Sequence, residues 1–161
     1  MIPQISQAPG LIQRVLTFLE TLKAQGFTGD TATSYADRLS LSTDNSIYQL
    51  LPDAVLFPRS TADVALIARL AGEAAFSSLV FTPRGGGTGT NGQSLNQGII
   101  VDMSRHMNRI LEINTEQRWV RVEAGVVKDQ LNAYLKPFGF FFSPELSTSN
   151  LSLIHISEPT R

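Results

Sequence analysis

FTPRGGGTGTNGQ, running from Phe81 to Gln93, sets five glycines between Arg84 and Gln93 directly behind a short apolar run. Glycine lets successive backbone N–H groups turn toward one centre without side-chain obstruction, and such a concavity binds anions. A pyrophosphate suits it, because each charge-assisted hydrogen bond contributes about 1.5–3 kcal/mol and several converge on one ligand. A Gly-rich surface turn has the same composition, so the loop taken alone leaves both readings open.

Two sharper alternatives fail on the letters. A nucleotide-hydrolysing P-loop needs Lys followed by Ser or Thr at its end, for the outer phosphates and for magnesium; here Gln93 and Ser94 stand instead. Gly87 to Gly92 also fits the dinucleotide pattern G-x-G-x-x-G, with Glu112 about where a ribose-binding acid falls. That motif needs a helix opening at the glycines, yet only five residues separate Gly92 from Gly98, where the next strand begins.

Working outward, Leu79 to Thr82 reads as the strand that leads into the loop. Upstream, Ala54 to Phe57 is a short apolar strand closed by Pro58, and Ser60 with Asp63 forms a capping-box pattern that opens a helix. Val64, Ile67, Leu70 and Ala71 are its expected buried face. Downstream, strands are expected near Gly98 to Asp102, Arg109 to Ile113 and Arg118 to Glu123, the last setting Trp119, Arg121 and Glu123 against Val120 and Val122. A further helix from about Val126 carries Val127, Leu131, Tyr134, Leu135 and Phe138 on one stripe, with Gly139 just past its end. Phe138 to Phe142 are expected to be core rather than a cofactor wall.

Nearer the start, Leu11, Val15, Phe18, Leu19 and Leu22 recur at helical spacing, and Gly26 is placed to end that helix. Residues 27 to 50, rich in Thr, Ser and Asp, read as a loop with at most one helical turn around Ser34 to Arg38.

The 161 residues are 42% hydrophobic and 17% charged, and the mean hydropathy is +0.01. Those values belong to a globular chain able to bury a core. A formal net charge of -1 gives no broad basic field, so nucleic acid and anionic membrane are not expected partners. With no cysteine, this segment holds no disulfide, thiolate metal site or iron–sulfur ligand. The opening MIPQISQAPG has neither a basic leader nor an apolar core, and no apolar run approaches the ~20 residues of a membrane span. A cytoplasmic chain is therefore expected. His106 has no carboxylate or second His at metal-like spacing and is expected to face solvent; no metal ligand is assigned.

Taken in order, PDAVLFPRS, FTPRGGGTGTNGQ, GIIVDMSRHMNRILEI, RWVRVEAGV and FGFFFSPELSTS resemble the FAD-binding PCMH-type domain of vanillyl-alcohol oxidase-like flavoproteins, over about Pro52 to Asn150. The resemblance implies an α+β fold, here the N-terminal half of a PCMH-type FAD-binding domain at residues 51–150 behind a helical extension at 1–50. It implies that Gly85, Gly86, Gly87, Thr88 and Gly89 hold the FAD pyrophosphate, with Arg84 and Pro83 leading in and Thr90, Asn91, Gly92 and Gln93 completing the loop. Pro144, Glu145 and Ser147 fall where the family's second FAD-contacting segment begins. Thr88 stands where covalently flavinylated members carry His, which implies non-covalent FAD.

Upstream, SYADRLSLSTDNSIYQ resembles large bacterial FAD-linked oxidases of the D-2-hydroxyglutarate dehydrogenase type, which join this domain to an iron–sulfur module. The implied activity is an FAD-dependent dehydrogenase acting on the CH–OH group of a 2-hydroxy acid, D-2-hydroxyglutarate or D-lactate, with an electron acceptor the sequence does not name. The implied iron–sulfur cluster would lie outside this segment. A non-catalytic flavin or phosphate-binding module is the alternative. Residues 151–161, LSLIHISEPTR, leave the family pattern and are expected to be non-native, so His155 and Glu158 receive no role and no catalytic residue is assigned.

Overall fold

The computed structural model describes the backbone of residues 9–144 and side chains from residue 13 onward. Its first helix, α1 (Pro9–Ala24), buries Val15, Phe18 and Leu22, with Leu19 packed beside them; the side chain of Leu11 lies outside the described residues. The helix ends as its glycine requires. Gly26 takes φ +94°, its N–H donates to the Lys23 carbonyl, and the Phe27 N–H reaches back to Leu22, the paired bonds of a Schellman motif.

A four-stranded sheet in the order β1-β2-β4-β3 carries the larger core. β2 (Ala54–Phe57) and β4 (Ile99–Asp102) are its central strands, parallel to one another and buried at every residue. Apolar residues on both faces are what a strand covered on both sides demands. Ala54, Leu56, Ile99 and Val101 face α1 and α3 (Thr61–Ala71), while Val55, Phe57 and Ile100 meet Ala32 on the other side. Ser60 caps α3, its hydroxyl accepting from the Asp63 N–H at 3.2 Å. Asp63, Ile67 and Leu70 are the buried positions of that helix, and Val64 and Ala71 are half-buried.

Residues 27–50, expected to be loop with at most one helical turn around Ser34 to Arg38, hold an unexpected strand, β1 (Asp30–Ala32), antiparallel to β2, and at the expected turn α2 (Tyr35–Ser40), capped by Ser34. A three-residue strand has no period to read, and pairing with β2 is what makes it one. The core thereby crosses residue 50, since α1 and β1 pack with strands that follow it.

β3 (Phe81–Arg84) starts later than expected. Leu79 is buried through a 3-10 turn at Ala74–Phe76, and the strand runs on through Pro83. Proline is tolerated there because β3 is an edge strand.

β5 (Ile110–Asn114) and β6 (Trp119–Val122) form a separate antiparallel hairpin covered by α4 (Lys128–Leu135). Val126, Leu131 and Leu135 pack there against Ile110, Ile113, Val120, Val122, Phe140 and Phe142. Of the expected stripe, Tyr134 stands on the exposed side of α4, and Pro137 turns the chain into a 3-10 turn that leaves Phe138 exposed as well, the two rings 5.9 Å apart. Phe141 is exposed too, so only part of the aromatic run is core. Gly139 takes φ +76° at the end of this turn.

Candidate functional site

The carboxyl ends of the parallel strands β3 and β4 open into a cleft of about 410 Å³. Ligands of open α/β sheets collect at such ends, where strands stop and loops diverge. From the Gly-rich loop, Arg84, Gly85 and Gly86 line it; Asp102, Ser104 and Asn108 follow from the end of β4. Gly125 and Val127 approach from the segment leading into α4 and Gln130 from its first turn, and Leu41 closes a further side.

Among the described residues, none accepts a hydrogen bond from the backbone N–H of Gly86, Gly87, Thr88 or Gly89. Of these four donors, that of Gly86 belongs to the cleft lining and the other three follow it along the loop. Backbone donors in such a row make an anion-binding concavity.

Beyond Gly86 the loop is braced by other neighbours. Gly87 takes φ +64° and its carbonyl accepts from the Asn45 N–H at 3.1 Å; a side chain at Gly87 would run into the Arg84 guanidinium. Gln93 folds back so that its Oε1 accepts from the Asn91 N–H at 3.0 Å, against Gly89. Gly92, at φ +73°, lies against the Tyr48 ring. Thr88, Gly89, Thr90, Asn91, Gly92 and Gln93 are therefore not part of the cleft lining, which stops at Gly86. Pro144 is half-buried outside the cleft, and Glu145 and Ser147 lie outside the described residues, as does 151–161.

Arg84 is buried, and its guanidinium points behind the loop, donating to the Thr43 carbonyl at 2.8 Å and more weakly to that of Leu41. Burial pushes its pKa down, opposed by the nearby charges of Asp102 and Asp44. It acts as a strut under the glycines. Asp102 in turn accepts from the Ser104 N–H at 2.8 Å and the Ser104 hydroxyl at 2.6 Å, which shapes the turn after β4.

The sequence reading missed Asp102, Ser104, Asn108, Gly125, Val127 and Gln130. The Asp-Met-Ser and Glu-Ala-Gly blocks marked the family but received no site role. Gly125 carried a usable signal: its N–H donates to the Met107 carbonyl at 2.6 Å, and a Cβ there would strike the backbone carbonyls of Met103 and Met107. Only glycine lets this segment approach the turn after β4. Glu123, expected on the polar face of β6, is instead buried and accepts from the Arg109 backbone N–H at 2.9 Å and Nη2 at 2.6 Å. The hydrogen bonds from Arg109 hold its carboxyl below the usual range despite burial.

His106 corrects another expectation. It is only 22% exposed at the side chain, and its Nε2 lies 2.6 Å from Asp30 Oδ2, with Arg59 on the same carboxylate. The partner comes from 76 residues away, beyond the reach of any spacing rule. Among the described residues, no group of three His, Cys, Asp or Glu could hold a metal ion, and no helix is long and apolar enough to cross a membrane.

Residues 52–154 match the family described as FAD binding domain. D-2-hydroxyglutarate dehydrogenase of Escherichia coli (strain K12) is 83% identical over 150 residues, covering 93% of this chain and 15% of that protein. The enzyme of the same name from Haemophilus influenzae is 62% identical over 150 residues, with the same coverage. This chain thus spans about 15% of the length of these curated relatives. Among solved structures, an alkyldihydroxyacetonephosphate synthase aligns with a TM-score of 0.73 at 19% identity, over 95% of this chain and 30% of that one. That likeness is one of fold, and the fold is the expected α+β PCMH type.

Proposed function

The chain belongs to the FAD binding domain family, and we propose that its cleft holds FAD non-covalently, with the pyrophosphate on the N–H groups from Gly85 to Gly89. The observation that carries this is the row of donors from Gly86 to Gly89, which follows the carboxyl end of β3 and has no acceptor among the described residues. Thr90, Asn91, Gly92 and Gln93 close the loop behind the phosphate, and Arg84 supports it. Asn108, Gln130 and Ser104 offer side-chain polar groups to the remainder of the cofactor from across the cleft. Pro144, Glu145 and Ser147 stand in the proposal on the family resemblance alone.

The longer protein of which this chain supplies the FAD-binding part oxidises a 2-hydroxy acid, with D-2-hydroxyglutarate as first substrate and D-lactate as second. The names of the relatives support this substrate class. FAD, when bound, accepts the two electrons removed from the carbinol carbon. A cytoplasmic location, and an iron–sulfur cluster held by other parts of that protein, belong to the same proposal.

The test uses a hybrid in which the 150 aligned residues of this chain replace their counterpart in the E. coli relative. It should purify with flavin that D-2-hydroxyglutarate bleaches anaerobically, faster than D-lactate or glycolate. Folded hybrid without flavin would refute the FAD site. Bound flavin that none of the three reduces would make it a binding module without this activity.

A further inference from the structure

Residues 41–50, upstream of the matched domain at 52–154, close on themselves. The Leu50 N–H donates to the Ser42 carbonyl at 2.9 Å, Gln49 Nε2 reaches the Ser42 hydroxyl at 3.2 Å, and Thr43 bridges Gln49. Ser42 is fully buried at this base. Within the loop, Asp44 Oδ1 accepts from the Ser46 N–H at 2.9 Å, and the Ser46 hydroxyl accepts from the Tyr48 N–H at 3.1 Å.

This closed segment meets the Gly-rich loop at four places along its length. Arg84 Nη2 donates to the Thr43 carbonyl at 2.8 Å where the loop begins. The Asn45 N–H holds the Gly87 carbonyl at 3.1 Å near its middle. Tyr48 lies so close to Gly92 that a Cβ there would stand 3.1 Å from the ring. Beyond the glycines, the Ser94 hydroxyl donates to Asp44 Oδ2 at 3.0 Å. Both ends of a stretch that glycine leaves conformationally free are thus fastened to one neighbour closed by its own hydrogen bonds.

We propose that residues 41–48 are a clamp that presets the Gly-rich loop for FAD, with Arg84 and Asp44 as the positioning residues that pin its two ends. The inference rests on the FAD reading of the loop. Its physical basis is entropic: five glycines have many backbone states, and a loop held in one of them before binding does not lose that freedom on binding. The Asp44 carboxylate is suited to the task. Burial raises its pKa, but hydrogen bonds from Ser46 and Ser94 and the charge of Arg84 outweigh that and hold it below the usual range, so it stays ionised at neutral pH.

The test compares Asp44→Ala, Asp44→Asn and Gly86→Val in the hybrid described above, stripped of flavin and titrated with FAD, alongside apoprotein melting. Asp44→Ala should weaken FAD about tenfold with the apoprotein Tm within about 2 °C of the parent. Asp44→Asn, which keeps an acceptor for Ser46 and a polar partner for Ser94, should stay within about threefold. An Asp44→Ala protein that binds FAD normally, while Gly86→Val does not, would overturn the clamp and leave the FAD site standing. Normal binding by Gly86→Val would overturn both. Loss of affinity matched by an equal loss of apoprotein stability would make Asp44 a purely structural residue and would also overturn the clamp.

Discussion

Asp63 holds Thr28 twice: the Thr28 backbone N–H and hydroxyl each donate to its carboxylate at 2.8 Å. The same carboxylate accepts from the Arg59 N–H at 2.9 Å, one residue before the Ser60 cap. A sequence-local capping box thereby also fastens the connection between α1 and β1 to the start of α3. Asp63→Ala should cost about 2 kcal/mol, since it removes the carboxylate that accepts from Thr28 and Arg59. Urea denaturation at neutral pH measures this, and an unchanged midpoint would refute the role given to Asp63.

Acid should destabilise the chain in part through Asp63 and Glu123. Hydrogen bonds from Thr28, Arg59 and Ser60 hold Asp63 below its ordinary 3.8 although burial raises it, and Arg109 holds Glu123 below 4.5. Their folded pKa values are lower than their unfolded ones, so the stability they contribute is complete above the ordinary values. It is lost as pH falls through the folded values. Asp53 has the opposite sign, because burial raises it against the weaker pull of Arg38, and it destabilises the fold once ionised. The Tm should therefore stay nearly flat from about pH 7 to pH 5 and fall below about pH 4. Asp63→Asn should flatten that acid limb, and an unchanged limb would count against this origin.

Glycine substitutions should separate ligand binding from folding. Gly86 lines the cleft at negative φ, so Gly86→Val should remove FAD while shifting stability by less than about 1 kcal/mol. Gly87→Val should lose both, because φ +64° excludes a branched side chain and the added carbon meets the Arg84 guanidinium. At Gly72, the C-cap of α3, a Cβ meets nothing closer than the Arg69 carbonyl at 3.4 Å, so Gly72→Val should leave flavin content unchanged. Flavin content after gel filtration and a melting curve for each variant check all three.

Legibility along the chain followed the range of the interactions. The Schellman end at Gly26, the Ser60 cap, Gly139 and the apolar runs of β2 and β4 rest on neighbours within a few residues or on burial of a whole strand. β1 left no trace, because only one of its three residues is buried and its stability comes from β2. His106 read as solvent-facing for the same reason: its carboxylate stands on β1. Pro83 read as a strand end, whereas edge position lets the strand continue through it.

The sequence by itself determined that a glycine-rich loop follows a short strand, which elements flank it, and which family carries those blocks. Backbone freedom, capping and apolar periodicity are local properties, written in consecutive letters. Only the tertiary structure decided how the loop is divided, with Arg84, Gly85 and Gly86 lining the cleft, Gly89 set against the Gln93 side chain and Gly92 against the Tyr48 ring. It also decided that Asn108 and Gln130 face that cleft, and that Asp44 reaches Ser94 across 50 residues of chain. Such contacts depend on where β4 inserts between β2 and β3, a long-range pairing that no window of neighbouring residues encodes.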